Sequence, residues 1–155
     1  MTPIDFILRL LLAAGLGAVL GLEREMRRKP AGLRTNMLIA VGSALFSLVS
    51  IQLGREGGAA DRVAANIVTG VGFLGGGAIL RSGRNVVGMT TAATIWVNAA
   101  IGMAAGIGAT MLAISATGIT LMVLGVLPPI ERYFDERVGV AGQPGPPVPP
   151  TAPDR

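Results

Sequence analysis

The sequence predicts an all-α, polytopic membrane protein of five transmembrane helices, and three observations lead there. Apolar runs of bilayer length recur at 6–22, 37–53, 63–80, 91–107 and 109–127, and about 20 apolar residues suffice to cross a hydrocarbon core ~30 Å thick. Hydrophobic residues fill 51% of the 155 positions, charged residues only 14%, and the mean hydropathy is +0.62, which is outside the range of soluble domains. Of the 23 glycines, five lie between Gly70 and Gly77 inside an apolar run, where a missing side chain lets neighbouring helices approach closely.

The first span, Phe6 to Leu22, is interrupted only by Arg9, which is near enough to the end for its charge to reach the interface. Asp5, four residues earlier, is expected to pair with it. The preceding MTPID lacks the basic n-region of a signal peptide, so this span is expected to be retained. Glu23 to Thr35 carries five Lys or Arg residues, with Pro30 and Gly32 as breakers, and reads as a loop. Thr35 or Asn36 can cap the second span, along which Ser43, Ser47 and Ser50 form a hydroxyl stripe facing another helix. A polar loop, 54–62, leads to the third span, and a basic loop, 81–89, to the fourth. Gly106 and Gly108 leave room only for a tight turn into the fifth span, which Pro128 and Pro129 should stop. The transmembrane domain is thus 1–127. Ile130, Tyr133, Phe134 and Val138 recur at helical spacing and predict an amphipathic interfacial helix over 128–138. The Pro- and Gly-rich remainder, 139–155, is expected to be disordered.

Charge sets the expected orientation. Loops 23–35 and 81–89 and the segment after 128 hold ten Lys or Arg, against two in 54–62. The positive-inside rule then puts the N-terminus outside and the C-terminus in the cytoplasm.

Helical projection places Thr91, Thr94, Asn98, Gly102 and Ala105 of the fourth span on one arc, with Trp96, Met103 and Ile107 opposite. The polar arc faces protein, because an unpaired amide in hydrocarbon is costly. Asn98 has two readings, interhelical hydrogen bonding or lining a ligand path, and Trp96 reads as an interfacial anchor. In the third span, Asn66, Gly70, Phe73 and Gly77 share a side and Gly72 and Gly76 another. Glycine on several sides predicts a central, surrounded helix, with Gly17 and Gly21 of the first span as a partner surface. The glycine faces can meet within one chain or in a homo-oligomer.

The composition also excludes. There is no cysteine and no histidine, which removes zinc, haem and thiol chemistry, and no cofactor is expected. Gly70, Gly72 and Gly75 spell a dinucleotide fingerprint, but no soluble strand precedes them and no acidic residue follows near 95. The cations sit at the ends of apolar runs instead of forming a basic face for nucleic acid. None of the nine acidic residues falls inside an expected span, whereas pumps and coupled carriers use ionisable groups within the bilayer. No nucleophile–base pair is present, so no enzyme is expected. The cluster of Glu23, Arg24, Glu25, Arg27, Arg28, Lys29 and Arg34 reads as a topology determinant held on anionic lipid, as a docking site for a cytosolic or membrane partner, or as a source of ion pairs with the Arg81/Arg84 loop on the same side.

Three stretches in order, GLEREMRRKPAGLRTNMLIAVGSALF (21–46), RVAANIVTGVGFLGGGAIL (62–80) and GMTTAATIWVNAAIGMAAG (88–106), resemble the MgtC/SapB family of bacterial inner-membrane proteins, over nearly all of the chain from Arg9 to Leu127. The resemblance implies a multi-pass protein of the bacterial plasma membrane that supports magnesium homeostasis and, in pathogens, survival in host cells. For some members it implies restraint of the membrane ATP synthase; the alternative reading of the chain is a Mg²⁺ or small-solute permease with Asn66, Thr94 and Asn98 lining its path. The matching positions are Glu23, Arg24, Gly32, Leu33, Arg34 and Thr35; Gly72, Phe73, Gly75 and Gly77; and Thr91, Ala92, Ala93 and Trp96. Many members carry a soluble domain after the last span, and the short tail here reads as a form lacking it. Gly76 and Asn66 stand where the family commonly has alanine and glutamine, and Thr90 occupies a place that can be asparagine.

Overall fold

In the computed structural model, which describes residues 2–55, 60–82 and 85–138, the elements are α1 (Pro3–Met26), α2 (Leu33–Arg55), α3 (Ala60–Gly77), the strands β1 (Leu80–Ser82) and β2 (Asn85–Val87), α4 (Met89–Ile107) and α5 (Thr110–Val138). The chain divides into two compact units, Met1–Leu121 and Met122–Arg155. Four helices among the described residues are long and apolar enough to cross a membrane: α1, α2, α4 and the stretch Thr110–Ile130 of α5. The remaining expected span, the third, is α3, which begins with Ala60, Asp61 and Arg62 and stops at Gly77, not Leu80.

Other boundaries also move. Glu23 to Met26 continue α1, so the expected loop of 23–35 shrinks to 27–32; glutamate, arginine and methionine are strong helix formers, and the chain turns only at Pro30 and Gly32. Arg28 and Ala31 adopt positive φ, 54° and 56°, in that turn. Neither Thr35 nor Asn36 caps α2, which already starts at Leu33. The expected loop at 81–89 is an antiparallel hairpin pairing Leu80 with Val87 and Ser82 with Asn85. It enters α4 through Gly88 at φ 93°, a left-handed conformation that glycine adopts without penalty. Pro128 and Pro129 do not end α5: they lie inside it, and the expected separate helix at 128–138 is its continuation. Proline's fixed φ is itself helical; what the pair removes are its own N–H donors. The expected disordered tail, 139–155, lies outside the described residues, as does Arg84.

In the first unit α2 is the central helix, packed on α1 and α4. This overturns the expectation of a central α3. A Cβ built on Gly17 of α1 would stand 2.7 Å from the Asn36 carbonyl oxygen, and one on Gly21 2.6 Å from Leu33 Cα; on α4, Gly102 would meet Ala40 Cα and Gly106 would meet Ala44 Cα, each at 2.8 Å. The matched pairs 98–36, 102–40 and 106–44 keep one offset, so α2 and α4 run parallel, whereas 17–36 and 21–33 make α1 and α2 antiparallel. Gly17 and Gly21 therefore meet α2, not α3. Around Gly70, Gly72, Gly76 and Gly77 of α3 the Cβ positions find no heavy atom within 4 Å. That helix rests on its neighbours through Ile67 and Val71, which cluster with Ile95 and Ala99 of α4.

The expected Asp5–Arg9 pair gives way to two caps. Asp5 closes a capping box with Thr2, and the Arg9 guanidinium donates to the Gly106 carbonyl at 2.8 Å. A helix C-terminus leaves its last carbonyls without partners and carries partial negative charge, so a cation there satisfies both.

Candidate functional site

The polar residues of the first unit gather on the facing sides of α1, α2 and α4, at the end where α1 stops and α2 and α4 begin. Arg24, in the last turn of α1, is buried and donates from Nη2 to Thr91 Oγ1 of α4 at 2.9 Å, while its Nε has no partner among the described residues. Removing a guanidinium from water costs several kcal/mol. The helix C-terminus around Arg24 and the bond to Thr91 offset part of that. Beside it, the Glu23 side chain is 14% exposed and its Oε1 lies 2.7 Å from Arg27 Nε. That contact is an ion pair without hydrogen-bond alignment, and both Glu23 oxygens are buried without a hydrogen-bond donor. Thr91→Val would leave Arg24 buried without its acceptor. Bonds to charged groups contribute ~1.5–3 kcal/mol, so the variant is expected to melt several degrees lower in detergent, with Thr91→Ser near the parent; equal melting of all three would remove this bond from the fold.

About two turns deeper along α4, two amides meet. Asn98 is fully buried, and its Nδ2 donates to the Asn36 backbone oxygen at 2.7 Å and to Asn36 Oδ1 at 3.1 Å. Asn36, equally buried, turns its own Nδ2 to the carbonyls of Ala31 and Gly32. Glu25 accepts the Leu33 N–H at 3.0 Å, filling the place a side chain at Gly32 would need. The 27–32 turn, with its two left-handed residues, is thus fixed by Asn36 from inside and Glu25 from outside.

The sequence-predicted residues divide between this cluster and the periphery. Glu23, Arg24, Thr91, Thr94 and Asn98 come together; Thr94 is buried and donates to the Thr90 carbonyl at 2.7 Å. Gly75 of α3 is buried at the approach to α4, its Cβ position 3.4 Å from the Ala92 carbonyl oxygen. Arg34 and Thr35 are exposed on the first turn of α2, Gly77 is exposed at the end of α3, and Phe73 is 83% exposed. Trp96 lies half exposed beside a shallow cavity of about 320 Å³ with Val68, Val71 and Met103. Asn66 is exposed on a groove between α2 and α3, away from Thr94 and Asn98. The residue missed is Asn36, read as a cap; its spacing to Ala40, Ser43 and Ser47, all buried, was the signal for a polar face. Among the described residues, no group of three acidic side chains could hold a metal ion.

Comparison with known proteins agrees with the resemblance in the sequence. A family model described as the MgtC family matches residues 10–133. The Escherichia coli (strain K12) protein named "Putative magnesium transporter YhiD" is 51% identical over 129 residues, covering 79% of this chain and 60% of that protein. Protein MgtC of Salmonella typhimurium is 48% identical over 121 residues, 78% of this chain and 52% of its own length. An uncharacterized Synechocystis protein is 42% identical over 133 residues, 86% of this chain and 56% of that one. The chain therefore spans about half to three-fifths of the length of these relatives. No solved structure matches.

Proposed function

From its membership of the MgtC family, to which this chain belongs, we propose that this membrane protein supports magnesium and envelope homeostasis in the bacterial inner membrane by regulating another membrane complex, without catalysis. The ATP synthase is the candidate complex that the family resemblance supplies. In this reading α3 also crosses the membrane, which makes five spans, the N-terminus is outside and the C-terminus cytoplasmic. The 27–32 turn and the β1–β2 hairpin share the cytoplasmic end, which the Arg24–Thr91 bond supports by joining the end of α1 to the start of α4.

One observation carries the choice of regulator over carrier: the three side chains that a permease path would use, Asn66, Thr94 and Asn98, do not line one passage. Asn98 is bonded to Asn36, Thr94 to its own helix, and Asn66 stands apart from both. Mg²⁺ gives up its water reluctantly and is held through carboxylates, and the acidic side chains of α1 lie at its ends. The second reading, a Mg²⁺ permease, is favoured by the name of the Escherichia coli relative.

Purified protein in liposomes separates the two. The regulator leaves Mg²⁺ flux at the level of empty vesicles, and crosslinkers at Arg28 and Arg34 in native membranes capture a defined membrane complex. Flux above that level, abolished by Asn98→Leu in protein that still folds, would establish the permease instead.

A further inference from the structure

We propose that the groove between α2 and α3 is the seat of a transmembrane helix of the regulated partner. This rests on the regulator reading and gives it a place on the molecule. The groove encloses about 550 Å³ and is walled by Leu38, Gly42, Ser43 and Phe46 of α2 and by Asn66 and Gly70 of α3, among other apolar side chains.

Two features select a helix over lipid. The first is steric. The Cβ positions of Gly42 and Gly70 have no heavy atom within 4 Å, so an incoming backbone can come into contact there. Gly17, Gly21, Gly102 and Gly106 use that device inside the bundle, the Cβ position of each lying within 3 Å of an atom of α2 or the turn before it. At the groove the same device is present and unused.

The second feature is polar. Ser47, Thr69, Thr94 and Thr117 each donate to the carbonyl four residues back. Ser43, 3% exposed and lining the groove, makes no such bond, and its hydroxyl has no partner among the described residues. The Asn66 amide likewise has no partner among the described residues, and it stands six residues into α3, about 9 Å below the start of the helix at 1.5 Å per residue. An amide and a hydroxyl facing hydrocarbon are unfavourable until bonded, and an acyl chain offers neither donor nor acceptor. The occupant is therefore a helix with a small-residue face and a hydrogen-bonding side chain within the two turns that Leu38 to Phe46 span.

A photocrosslinker at Phe46 or Leu74, on the groove, is to be compared in native membranes with one at Ile119, exposed on α5. The expected result is an adduct from the groove positions alone, mapped by mass spectrometry to one transmembrane segment of another protein. Gly42→Leu with Gly70→Leu places side chains in the groove at positions where the Cβ meets no heavy atom within 4 Å and should lower the yield about tenfold or more; Asn66→Leu should lower it several-fold. Each variant is first shown to melt like the parent in detergent. Lipid adducts only, dimers of this chain, or equal yield from Ile119 would overturn the proposal. Capture of a partner from Arg28 and Arg34 with a silent groove would overturn the groove and leave the regulator standing. Silence at both, with Mg²⁺ flux in liposomes, would overturn the regulator itself.

Discussion

Gly102→Ala is expected to disrupt the bundle, whereas Gly72→Ala should leave it intact or slightly firmer, although both add one methyl to a glycine in an apolar helix. The Cβ at 102 would lie 2.8 Å from Ala40 Cα and closer still to the Ala40 carbonyl oxygen. Those are backbone atoms of α2, so no side chain can swing aside. Nor can α2 retreat, because Gly17 of α1 closes on Ala40 from another direction, its own Cβ position 2.9 Å from Ala40 Cβ. Overpacking of this kind costs about 1–3 kcal/mol and more where the backbone must move, a large part of a stability of ~5–15 kcal/mol. At Gly72 nothing lies within 4 Å, and alanine gains about 0.5–1 kcal/mol over glycine in a helix. Thermal melting in detergent, followed by circular dichroism and by monodispersity, reads both variants. Equal melting temperatures would mean that α2 and α4 are not held at this distance.

The same pair of glycines marks what could be read from the sequence and what could not. The polar arc of α4 was legible: Thr91, Thr94, Asn98, Gly102 and Ala105 recur at helical spacing and all five are buried, while Trp96 and Ile107 opposite are exposed. So was the serine stripe of α2, buried at Ser43, Ser47 and Ser50. Glycine density misled, because glycine permits close approach but names no partner. The dense run in α3 is mostly unmet, and the close helix–helix approaches come from glycines spaced four apart, Gly17 and Gly21 of α1 against Asn36 and Leu33, and Gly102 and Gly106 of α4 against Ala40 and Ala44 of α2.

Charge was ambiguous in a related way. A run such as EREMRRK reads as loop by hydropathy, yet its first half is helical, and Arg24 is buried because Thr91 accepts from it. That bond joins residues 67 positions apart, beyond any local pattern. The prolines at 128 and 129 made the opposite error, since their helical φ was outweighed in the reading by their missing donors.

Asn98→Leu is the second large effect, and its analysis decides between the two readings of the polar cluster. The substitution removes both bonds from Nδ2 and leaves Asn36 Oδ1, fully buried, with nothing to accept; an unsatisfied buried acceptor costs ~1–3 kcal/mol. Asn36→Leu should be worse, since it also frees the Ala31 and Gly32 carbonyls that hold the turn before α2. Asn98→Asp should be the most damaging of the three, for it turns a carboxylate toward two acceptor oxygens. If the amides act as a pair, the double leucine variant loses less than the sum of the single losses. Interhelical bonds in membranes couple by about 0.6 kcal/mol on average and up to ~1.7, so a coupling of ~0.5–2 kcal/mol is the expected range. The same variants serve in liposomes: an interhelical role predicts that Asn98→Leu lowers the yield of folded protein and leaves Mg²⁺ flux at the level of empty vesicles. Strict additivity in the cycle, together with flux that vanishes in well-folded Asn98→Leu protein, would show that this amide serves a passage and not a joint.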